Sequence, residues 1–580
     1  MSFLGIERSL TGRRWVGPTA EMERAAQTLE QRADLPAPVC QVLARRGVQA
    51  EDAQSFLAPA LRDLMPDPRS LKDMTKAATR FLDAVRKREK IAIFADYDVD
   101  GGSSAALLLS WLRQTGREAT LYIPDRIDEG YGPNDEAMAQ LARAHDLIVC
   151  VDCGTLSHGP IAAAVGADVL VLDHHLGTEE LPAALAVVNP NRQDESGDLG
   201  HLCAAGVVFL LLVELRRLLR EAGQTSPDLM SFLDLVALAT VADVAPLVGI
   251  NRAFVRQGLK VLARRERIGL TALADVAGVD TEPNAYHLGF ILGPRVNAGG
   301  RIGAADLGAR LLATNDPHEA AALAERLDKL NTERREIEAA VRATALAQAE
   351  ERGLDRPLVW AAGADWHPGV VGIVASRLKE AAGRPSIVIG ISDGIGKGSG
   401  RSVSGIDLGQ PIQRLAAEGL LLKGGGHKMA AGLTVEESKI ETAMARLSEL
   451  LEKQGASSIG AADLHIDGML MPEAAAVELV QKIEQAGPFG AAAPAPRYVF
   501  ANVAVRFAKR VGENHLKLSF GSDAGSMDAI CFGAYDTDLG PTLETHGGAR
   551  FHLAGRLDIN TWRGRQSVQL RLEDAAPAAM

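Results

Sequence analysis

The chain has 580 residues, a formal net charge of −12 and 47% apolar residues. This length exceeds what one hydrophobic core supports, so we predict several domains, and the apolar content excludes a disordered chain. The acidic balance excludes a uniformly basic coat for nucleic acid but leaves room for a local basic groove.

No segment predicts a membrane span. The longest apolar run, residues 202–213, has 12 residues, whereas a spanning helix needs about 20. The start of the chain lacks an apolar signal core. We therefore expect a soluble, cytoplasmic protein with no membrane partner.

The cysteines do not predict a disulfide framework, because there are only five and they are scattered. Cys150 and Cys153 form one CxxC around Asp152. A zinc site would need a second pair of ligands. We interpret these two residues as packing cysteines beside a functional aspartate.

In chain order, residues 1–85 predict an N-terminal helical segment with polar breaks. Over residues 86–315, short apolar runs alternate with helical stretches, which predicts a parallel sheet buried on both faces. Ligands of such sheets bind beyond the carboxyl ends of the strands. The predicted strands are IAIFADYD (91–98), ATLYIP (119–124), LIVCVDCG (147–154), ADVLVLDHH (167–175) and LAVVNP (185–190).

Three carboxylates at alternate positions, Asp96, Asp98 and Asp100, follow the first apolar run. One aspartate would be enough to cap the next helix, which we predict to begin near Ser103. Three close carboxylates repel one another unless a cation is bound, and their oxygens suit Mg²⁺ or Mn²⁺. Metal binding is therefore favoured, with one of the three free to act as a cap.

Acidic residues and histidines also end the later apolar runs. Asp152 follows the third predicted strand, and Asp173, His174 and His175 follow the fourth. Neighbouring side chains on a strand point to opposite faces, so one histidine can bind metal while the other faces substrate. Asp243 follows a further apolar run, and its alternative role is a helix or loop cap. Together these groups suffice for two divalent ions and phosphoester hydrolysis.

Residues 318–352 lack glycine and proline. This pattern predicts that residues 316–353 form a connector helix about 50 Å long. Residues 354–455 return to an α/β pattern with two glycine-rich turns, SGR at 399–401 and GGGHK at 424–428. Glycine-rich backbone and Arg401 suit phosphate oxygens. A tight turn is the alternative for the second segment, and the spacing is not that of a Walker A loop.

Residues 456–580 change to short strands and turns, which predicts a small β-barrel of the OB type. Residues 497–574 hold ten Lys or Arg and nine Asp or Glu, which is far less acidic than the whole chain. OB folds bind single strands with basic grooves and stacking aromatic rings. Trp562, in a predicted hairpin turn, is the candidate for an exposed stacking site.

Four motifs in this order, DYDVDG, VDCG, LDHH and ADVAPL, resemble those of the DHH phosphoesterases. RVNAGGRIG (295–303), WHPGVVGIVASRL (366–378), SGRSV (399–403) and GGGHKMAAG (424–432) resemble the wider pattern of the RecJ family over roughly residues 40–570. The resemblance implies two α/β domains, the DHH parallel sheet and DHHA1, joined by a long helix, plus a C-terminal OB-like barrel. It also implies a 5′→3′ exonuclease specific for single-stranded DNA, with Mn²⁺ or Mg²⁺, in DNA recombination and repair.

The resemblance assigns roles to individual residues. It implies two ions with Asp152 as their bridge, Asp100 and Asp173 as supporting groups, and His175 facing the scissile phosphate. Arg126 is implied at the 5′ phosphate. Partners implied by the family alone are a single-stranded-DNA-binding protein and a RecQ-type helicase. The implied metal ligands are Asp96, Asp98, Asp152, His174 and Asp243, and the implied substrate contacts are Ser399, Arg401 and His427, with Asn297 and Arg301 as further candidates.

Three alternatives remain open. A DHH phosphodiesterase for short oligonucleotides or cyclic dinucleotides, or a pyrophosphatase, would need neither the barrel nor the long helix. A nuclease-dead DNA-binding scaffold would not need all five implied ligands, and here all are present. The GGGHKMAAG segment also occurs in alanyl-tRNA editing proteins, but these lack the complete DHH half.

Overall fold

The computed structural model describes residues 2–125, 129–130, 132–458, 460, 463–521, 525–562 and 565–578. The chain forms two compact units, Met65–Ile459 and the combination of Met1–Leu64 with Gly460–Met580. The sequence predicts one N-terminal helical segment over 1–85. The structure instead divides that stretch, because the helices before residue 64 pack with the C-terminal barrel.

The N-terminal residues form short elements around one two-residue strand. Thr19 begins the first long helix, and its hydroxyl accepts a hydrogen bond from the Met22 N–H. The elements are β1 (Trp15–Val16), α1 (Ala20–Ala33), α2 (Ala37–Arg45), α3 (Ala53–Leu57) and α4 (Leu61–Leu64).

The unit Met65–Ile459 begins with a five-stranded sheet in the order β3-β2-β4-β5-β6. All neighbouring strands are parallel. The three central strands are almost wholly buried, as expected for a sheet covered on both faces. The predicted parallel sheet is confirmed. Its strands are β2 (Ile91–Ala95), β3 (Thr120–Tyr122), β4 (Leu147–Val151), β5 (Asp168–Leu172) and β6 (Ala186–Val188).

Helices surround this sheet and extend beyond it. One six-residue segment, His287–Leu292, is a π-helix that continues directly into the next α-helix. The helices are α5 (Met74–Lys87), α6 (Val99–Gln114), α7 (Asp135–Ala144), α8 (His158–Ala163), α9 (Ala204–Glu221), α10 (Leu233–Ala242), α11 (Gly249–Ala263), α12 (Ile268–Val276), α13 (Gly293–Ile302) and α14 (Leu307–Ala313).

The predicted connector helix is confirmed as α15 (Pro317–Arg352), whose 36 residues span about 54 Å. Asp316 caps its start, where the carboxylate accepts the His318 N–H at 2.8 Å. Its first half packs on α12 and α13, and its second half packs on α16 and β7. The helix is therefore shared by the two halves of this unit.

The second half of the unit has a mixed sheet in the order β10-β11-β9-β8-β7. Only β7 and β8 pair in parallel. The elements are β7 (Val359–Ala364), α16 (Pro368–Ala382), β8 (Ser386–Ser392), β9 (Ile395–Arg401), α17 (Gly409–Ala417), β10 (Lys423–His427), β11 (Ala430–Glu436) and α18 (Ile440–Glu452).

The C-terminal residues form the predicted barrel. The sheet order is β13-β14-β15-β16-β18-β17, and β14 also pairs with β17, which closes it. Three strands have 13 or 14 residues, longer than predicted, and register shifts let β14 bend between two partners. The elements are β12 (Leu464–His465), β13 (Gly468–Met469), α19 (Val477–Glu484), β14 (Tyr498–Val511), β15 (His515–Gly521), β16 (Ser526–Cys531), α20 (Leu539–Glu544), β17 (Arg550–Trp562) and β18 (Arg565–Pro577).

The N-terminal helices and the barrel share one core. Leu29 and Leu43 belong to the same buried cluster as Phe500 and Phe520. No helix in the described ranges is both long and apolar enough to cross a bilayer. All five cysteines are buried free thiols, in line with the packing role predicted for the CxxC pair.

Candidate metal centre and substrate-binding residues

The first acidic cluster lies where β2 passes into α6. The helix begins at Val99, four residues before the predicted start, because Asp98 is its cap. The Asp98 carboxylate accepts the N–H groups of Asp100 and Gly101 at 2.9 and 3.1 Å. A Cβ at Gly101 would lie 2.3 Å from the Asp96 carbonyl oxygen. Glycine therefore lets the helix start fold tightly against the strand end.

Asp152 follows β4 at the same sheet edge and is only 2% exposed. Its φ of +59° is a left-handed conformation that aspartate and asparagine tolerate better than most residues. One of its carboxylate oxygens lies 3.3 Å from His174 Nε2 and 3.9 Å from His175 Nδ1. The strand end thus aims a buried carboxylate at both histidines.

Asp173 holds the loop after β5 in place. Its Oδ1 accepts the His174 N–H at 2.7 Å and the His175 Nδ1–H at 2.8 Å. Its Oδ2 accepts the Thr155 N–H at 3.0 Å. With its oxygens used in this way, Asp173 orients the histidine pair, while its role in catalysis stays a prediction.

Three overlapping groups of side chains could each hold an ion. In every group the ligand atoms lie within 4.8 Å of one another. Asp152 belongs to two groups and His174 to two. A shared carboxylate is what two neighbouring divalent ions require, and carboxylate and imidazole ligands suit Mn²⁺ and Mg²⁺. The groups are Asp96 with Asp98 and Asp152, Asp152 with His174 and His175, and Asp100 with His174 and Asp243.

The electrostatics of this cluster also favour a bound cation. Burial raises the pKa of Asp152 well above its usual value, and the charges of Asp100 and Asp98 raise it further. Burial and the same two neighbours raise the pKa of Asp243 to about 8. Buried carboxylates that resist ionisation in this way are stabilised as anions when a divalent ion is bound.

In contrast to these carboxylates, His175 is shifted toward its charged form. Burial alone would lower its pKa, but the hydrogen bond and the charge of Asp173 outweigh burial and raise the pKa to about 9. Burial would raise the pKa of Asp173, yet its bonds to His175 and Thr155 hold it below the usual value. Without bound ions, both shifts favour an imidazolium paired with a carboxylate.

Asp100 is fully buried, and its carboxylate accepts the N–H groups of Ala204 and Ala205 at 2.6 and 2.8 Å. These are the first residues of α9, so the carboxylate stabilises the positive end of that helix. The Asp100 Oδ2 also lies 3.7 Å from His174 Nε2. Asp100 therefore fastens a helix to the site in addition to shaping its charge.

Sequence reasoning did not single out Asn189, which follows β6. Its side-chain amide donates to the Thr155 hydroxyl and to the His175 carbonyl oxygen, both at 2.8 Å. Asn191 donates to the His174 carbonyl oxygen at 2.5 Å. The signal was available, because LAVVNP is another apolar run that ends in a polar residue at the same sheet edge.

Two predicted substrate contacts lie on α13, next to the acidic cluster. Asn297 Oδ1 accepts the Val99 N–H at 3.0 Å, which ties α13 to the start of α6. Arg301 Nη1 donates to the Gly369 carbonyl oxygen at 3.1 Å, at the start of α16. One helix thus links the acidic cluster to α16, which packs on the mixed sheet. The roles of both residues toward substrate stay predictions.

The structure brings Ser399, Arg401 and His427 to one region of the mixed sheet. Arg401 is paired with Ala430, and Ala430 is paired with His427 on the next strand. Directly opposed residues point to the same face of a sheet. Arg401 Nη1 donates to the Ser399 hydroxyl at 3.0 Å. The arrangement offers a hydroxyl, a guanidinium and an imidazole to an anion.

Two predicted contacts cannot be placed. Arg126 and the side chain of Trp562 lie outside the described residues.

Family models match three parts of the chain. The DHH family N-terminal domain matches residues 90–240, the DHHA1 domain matches residues 355–453, and the RecJ OB domain matches residues 466–574. These matches coincide with the parallel sheet, the mixed sheet and the barrel.

Two relatives that match almost the whole chain have the same name. The single-stranded-DNA-specific exonuclease RecJ of Dickeya dadantii is 39% identical, over 97% of this chain and 98% of its own length. The protein of the same name from Escherichia coli is 37% identical, over 96% of this chain and 99% of its own length.

Among solved structures, RecJ from Thermus thermophilus in complex with Mn²⁺ has a TM-score of 0.81 at 29% identity, over 97% of this chain and 79% of that chain. A second structure, exonuclease RecJ bound to manganese, has a TM-score of 0.59 at 36% identity, over 68% of this chain and 97% of that chain. The small-molecule, scaffold and tRNA-editing alternatives are not favoured, because the relatives named exonuclease match the barrel and both α/β halves together.

Proposed function

Because the chain belongs to the RecJ family of single-stranded-DNA-specific exonucleases, we propose that it removes mononucleotides from the 5′ end of single-stranded DNA by two-metal hydrolysis of phosphodiester bonds. The observation that carries this proposal is the buried cluster of carboxylates and histidines in which Asp152 and His174 are each shared by two candidate ion-binding groups. The work of such an enzyme lies in DNA recombination and repair.

The ions are Mn²⁺ or Mg²⁺. The residues that would hold them are Asp96, Asp98, Asp152, His174 and Asp243. Two ions bound there would supply Lewis-acid stabilisation to the displacement at phosphorus. The carboxylates would hold both ions. Asp100 and Asp173 fix the neighbouring segments, because their carboxylates accept backbone N–H groups at the start of α9 and at Thr155.

His175 is proposed to act on the scissile phosphate. Its Nδ1–H is held by Asp173, so the ring keeps one orientation and its other nitrogen is directed away from that carboxylate. In the absence of bound ions, the hydrogen bond and the charge of Asp173 outweigh burial and raise the pKa of His175 to about 9, which favours the protonated ring. A ring protonated at Nε2 can stabilise negative charge on the phosphate and give that proton to the leaving oxygen.

The 5′ phosphate is proposed to bind on the mixed sheet. Ser399, Arg401 and His427 offer donors to an anion from neighbouring strands, and Arg401 can bind two phosphate oxygens at once. A phosphate held there would fix the chain end relative to the acidic cluster through α13. This is the basis of the proposed 5′ polarity, with Arg126 as a further contact.

The OB barrel is proposed to bind the strand behind the cleaved end, with Trp562 as a stacking residue. A basic groove with aromatic rings binds single strands without sequence preference. A single-stranded-DNA-binding protein and a RecQ-type helicase are the proposed protein partners, because the first presents the substrate and the second generates it from duplex.

The test follows nucleotide release from oligonucleotides labelled at the 5′ or the 3′ end, as single strands and as blunt duplexes, with Mn²⁺, Mg²⁺ or EDTA. We expect immediate loss of the 5′ label as mononucleotide from single strands only, and no release in EDTA. Equal rates on duplex would contradict strand specificity, and early loss of the 3′ label would contradict polarity.

Site variants complete this test. Asp152→Ala is expected to lower kcat by at least about 10²-fold. Asp198→Ala is the matched control, because Asp198 is an exposed aspartate in the same half of the unit that belongs to none of the three candidate groups. Full activity of Asp152→Ala would overturn the site assignment.

A further inference from the structure

Two aromatic residues at the π-helical segment are exposed: Phe290 lies within it, and Tyr286 directly precedes it. Tyr286 is 51% and Phe290 is 69% exposed. Their rings are stacked, with centroids 5.2 Å apart and planes inclined by 22°. Their four-residue spacing places both rings on one side of the segment. Stacked aromatic faces that remain open to solvent are characteristic of binding surfaces and not of a core.

This aromatic pair lies on a segment that touches the end of α10. A Cβ at Gly289 would lie 3.2 Å from Val241 Cγ1, and one at Gly293 would lie 3.2 Å from the Ala242 Cβ. Val241 and Ala242 directly precede Asp243, a candidate metal ligand. The two glycines therefore allow the segment that presents Tyr286 and Phe290 to pack closely beside the acidic cluster.

A second contact fixes the same segment. It continues without a break into α13, where Asn297 accepts the Val99 N–H at the start of α6. The rings are thus held by an element anchored on two sides of the acidic cluster, at the end of α10 and at the start of α6. Single π-helical turns within helices are frequent at functional sites.

We propose that Tyr286 and Phe290 form a base-stacking platform for the single-stranded DNA substrate, next to the metal centre. This inference rests on the proposed function and assigns substrate-positioning residues to that same site. The occupant is a nucleobase, because every base offers a π-face to an aromatic ring and stacking requires no particular sequence. A base held here would restrain the strand near the reacting phosphate, and paired bases of a duplex could not present their faces in this way.

The platform is tested with Tyr286→Ala and Phe290→Ala, with the aromatic replacement Phe290→Trp, and with Val165→Ala as control. Val165 is 82% exposed and lies after α8. Stacking of one base predicts that KM for single-stranded DNA rises about 5–20-fold in either alanine variant, with kcat changed by less than about twofold. Phe290→Trp and the control are expected to keep the wild-type KM.

A second measurement locates the stacked base. One abasic position is moved stepwise along the oligonucleotide. At one position we expect the wild-type enzyme to bind the abasic strand more weakly than the intact strand. The alanine variants should bind both strands equally at that position. A fluorescent adenine analogue at that position, bound with Ca²⁺ to suppress cleavage, should be quenched by the wild type and not by the alanine variants.

The outcomes separate this inference from the proposed function. A wild-type enzyme that does not degrade single strands would overturn both. If the wild type is active and the alanine variants keep its KM, the platform alone is overturned. The same holds if the variants lose kcat equally wherever the abasic position lies in the oligonucleotide. Loss of self-association in the variants by light scattering, with unchanged KM, would instead assign the aromatic pair to a contact between two copies of this chain.

Discussion

Asp152 combines three unfavourable conditions. It is buried, it lies among carboxylates of like charge, and its backbone has a positive φ. Each condition costs free energy in the folded protein when no cation is bound. The proposed role of Asp152 as a metal ligand accounts for this arrangement, because bound ions would offset the cost.

We therefore expect Asp152→Asn to be at least as stable as the wild type in EDTA. Asparagine keeps the shape and tolerates the left-handed conformation, while the repulsion is removed. Mn²⁺ should raise the Tm of the wild type, since it binds the folded state, and should raise that of the variant much less. Differential scanning calorimetry measures both. Asp198→Asn is the control, and an unchanged response of Asp152→Asn to Mn²⁺ would contradict the assignment.

Metal binding should depend strongly on pH. Burial, with the charges of Asp100 and Asp98, raises the pKa of Asp243 to about 8, so its carboxyl group is largely protonated at neutral pH without ions. Binding of Mn²⁺ must displace that proton, and affinity should fall about tenfold per unit of pH below 8 for each proton released. Titration calorimetry in buffers of different ionisation enthalpy counts the protons. Asp243→Asn should release fewer, and a Kd independent of pH would argue against this coupling.

At the scale of elements, the helix α6 depends on one glycine. A Cβ at Gly101 would lie 2.3 Å from the Asp96 carbonyl oxygen and 2.8 Å from the Asp96 nitrogen, both of them backbone atoms. Backbone cannot swing aside like a flexible side chain, so Gly101→Ala must displace the acidic loop or the helix start.

Gly101→Ala is expected to lower the free energy of unfolding by about 2–4 kcal/mol and to weaken Mn²⁺ binding. Chemical denaturation and calorimetry measure the two effects. Gly425→Ala is a suitable comparison, because a Cβ there would meet nothing within 4 Å and its φ is not positive. Wild-type stability and Mn²⁺ affinity in Gly101→Ala would show that the loop can shift without loss.

The elements also show what could be predicted from sequence. Five strands and the helix Pro317–Arg352 followed from apolar runs and helical periodicity, because these signals are local. The start of α6 was placed four residues too late, because the pattern allowed one of the three aspartates to be the cap but did not identify it as Asp98. Asn189 was missed because an amide at a strand end lacks the charge that makes an isolated aspartate conspicuous. The backbone hydrogen bonds of Asp100 to α9 join residues about 100 positions apart, and no local pattern predicts such contacts.

At the scale of the whole molecule, the proposed site residues are unevenly distributed between the two compact units. The unit Met65–Ile459 contains every described residue proposed to bind metal or the 5′ phosphate. The other unit joins the first 64 residues to the barrel, although they are separated by about 400 positions of sequence. The N-terminal helices therefore act as part of the barrel domain and not as a separate segment.

Deletion of residues 1–64 should destabilise the barrel, although this segment holds none of the proposed site residues. Leu29 and Leu43 would leave a core that they share with Phe500 and Phe520. The buried Asp574 would also lose the Trp15 indole N–H, which donates to it at 2.9 Å. Exposed apolar surface and a buried acceptor that has lost a donor both lower stability.

Calorimetry of the truncated chain should therefore show the barrel unfolding at a lower temperature, while Mn²⁺ still raises the Tm of the transition that belongs to Met65–Ile459. Trp15→Phe in the full chain removes the indole donor and part of one buried ring, and is expected to lower the barrel transition by a smaller amount, corresponding to about 1–3 kcal/mol. A truncated chain that melts like the full-length protein would show that the barrel core is complete without the N-terminal helices. Loss of the Mn²⁺ response would instead show that the metal centre depends on the other unit.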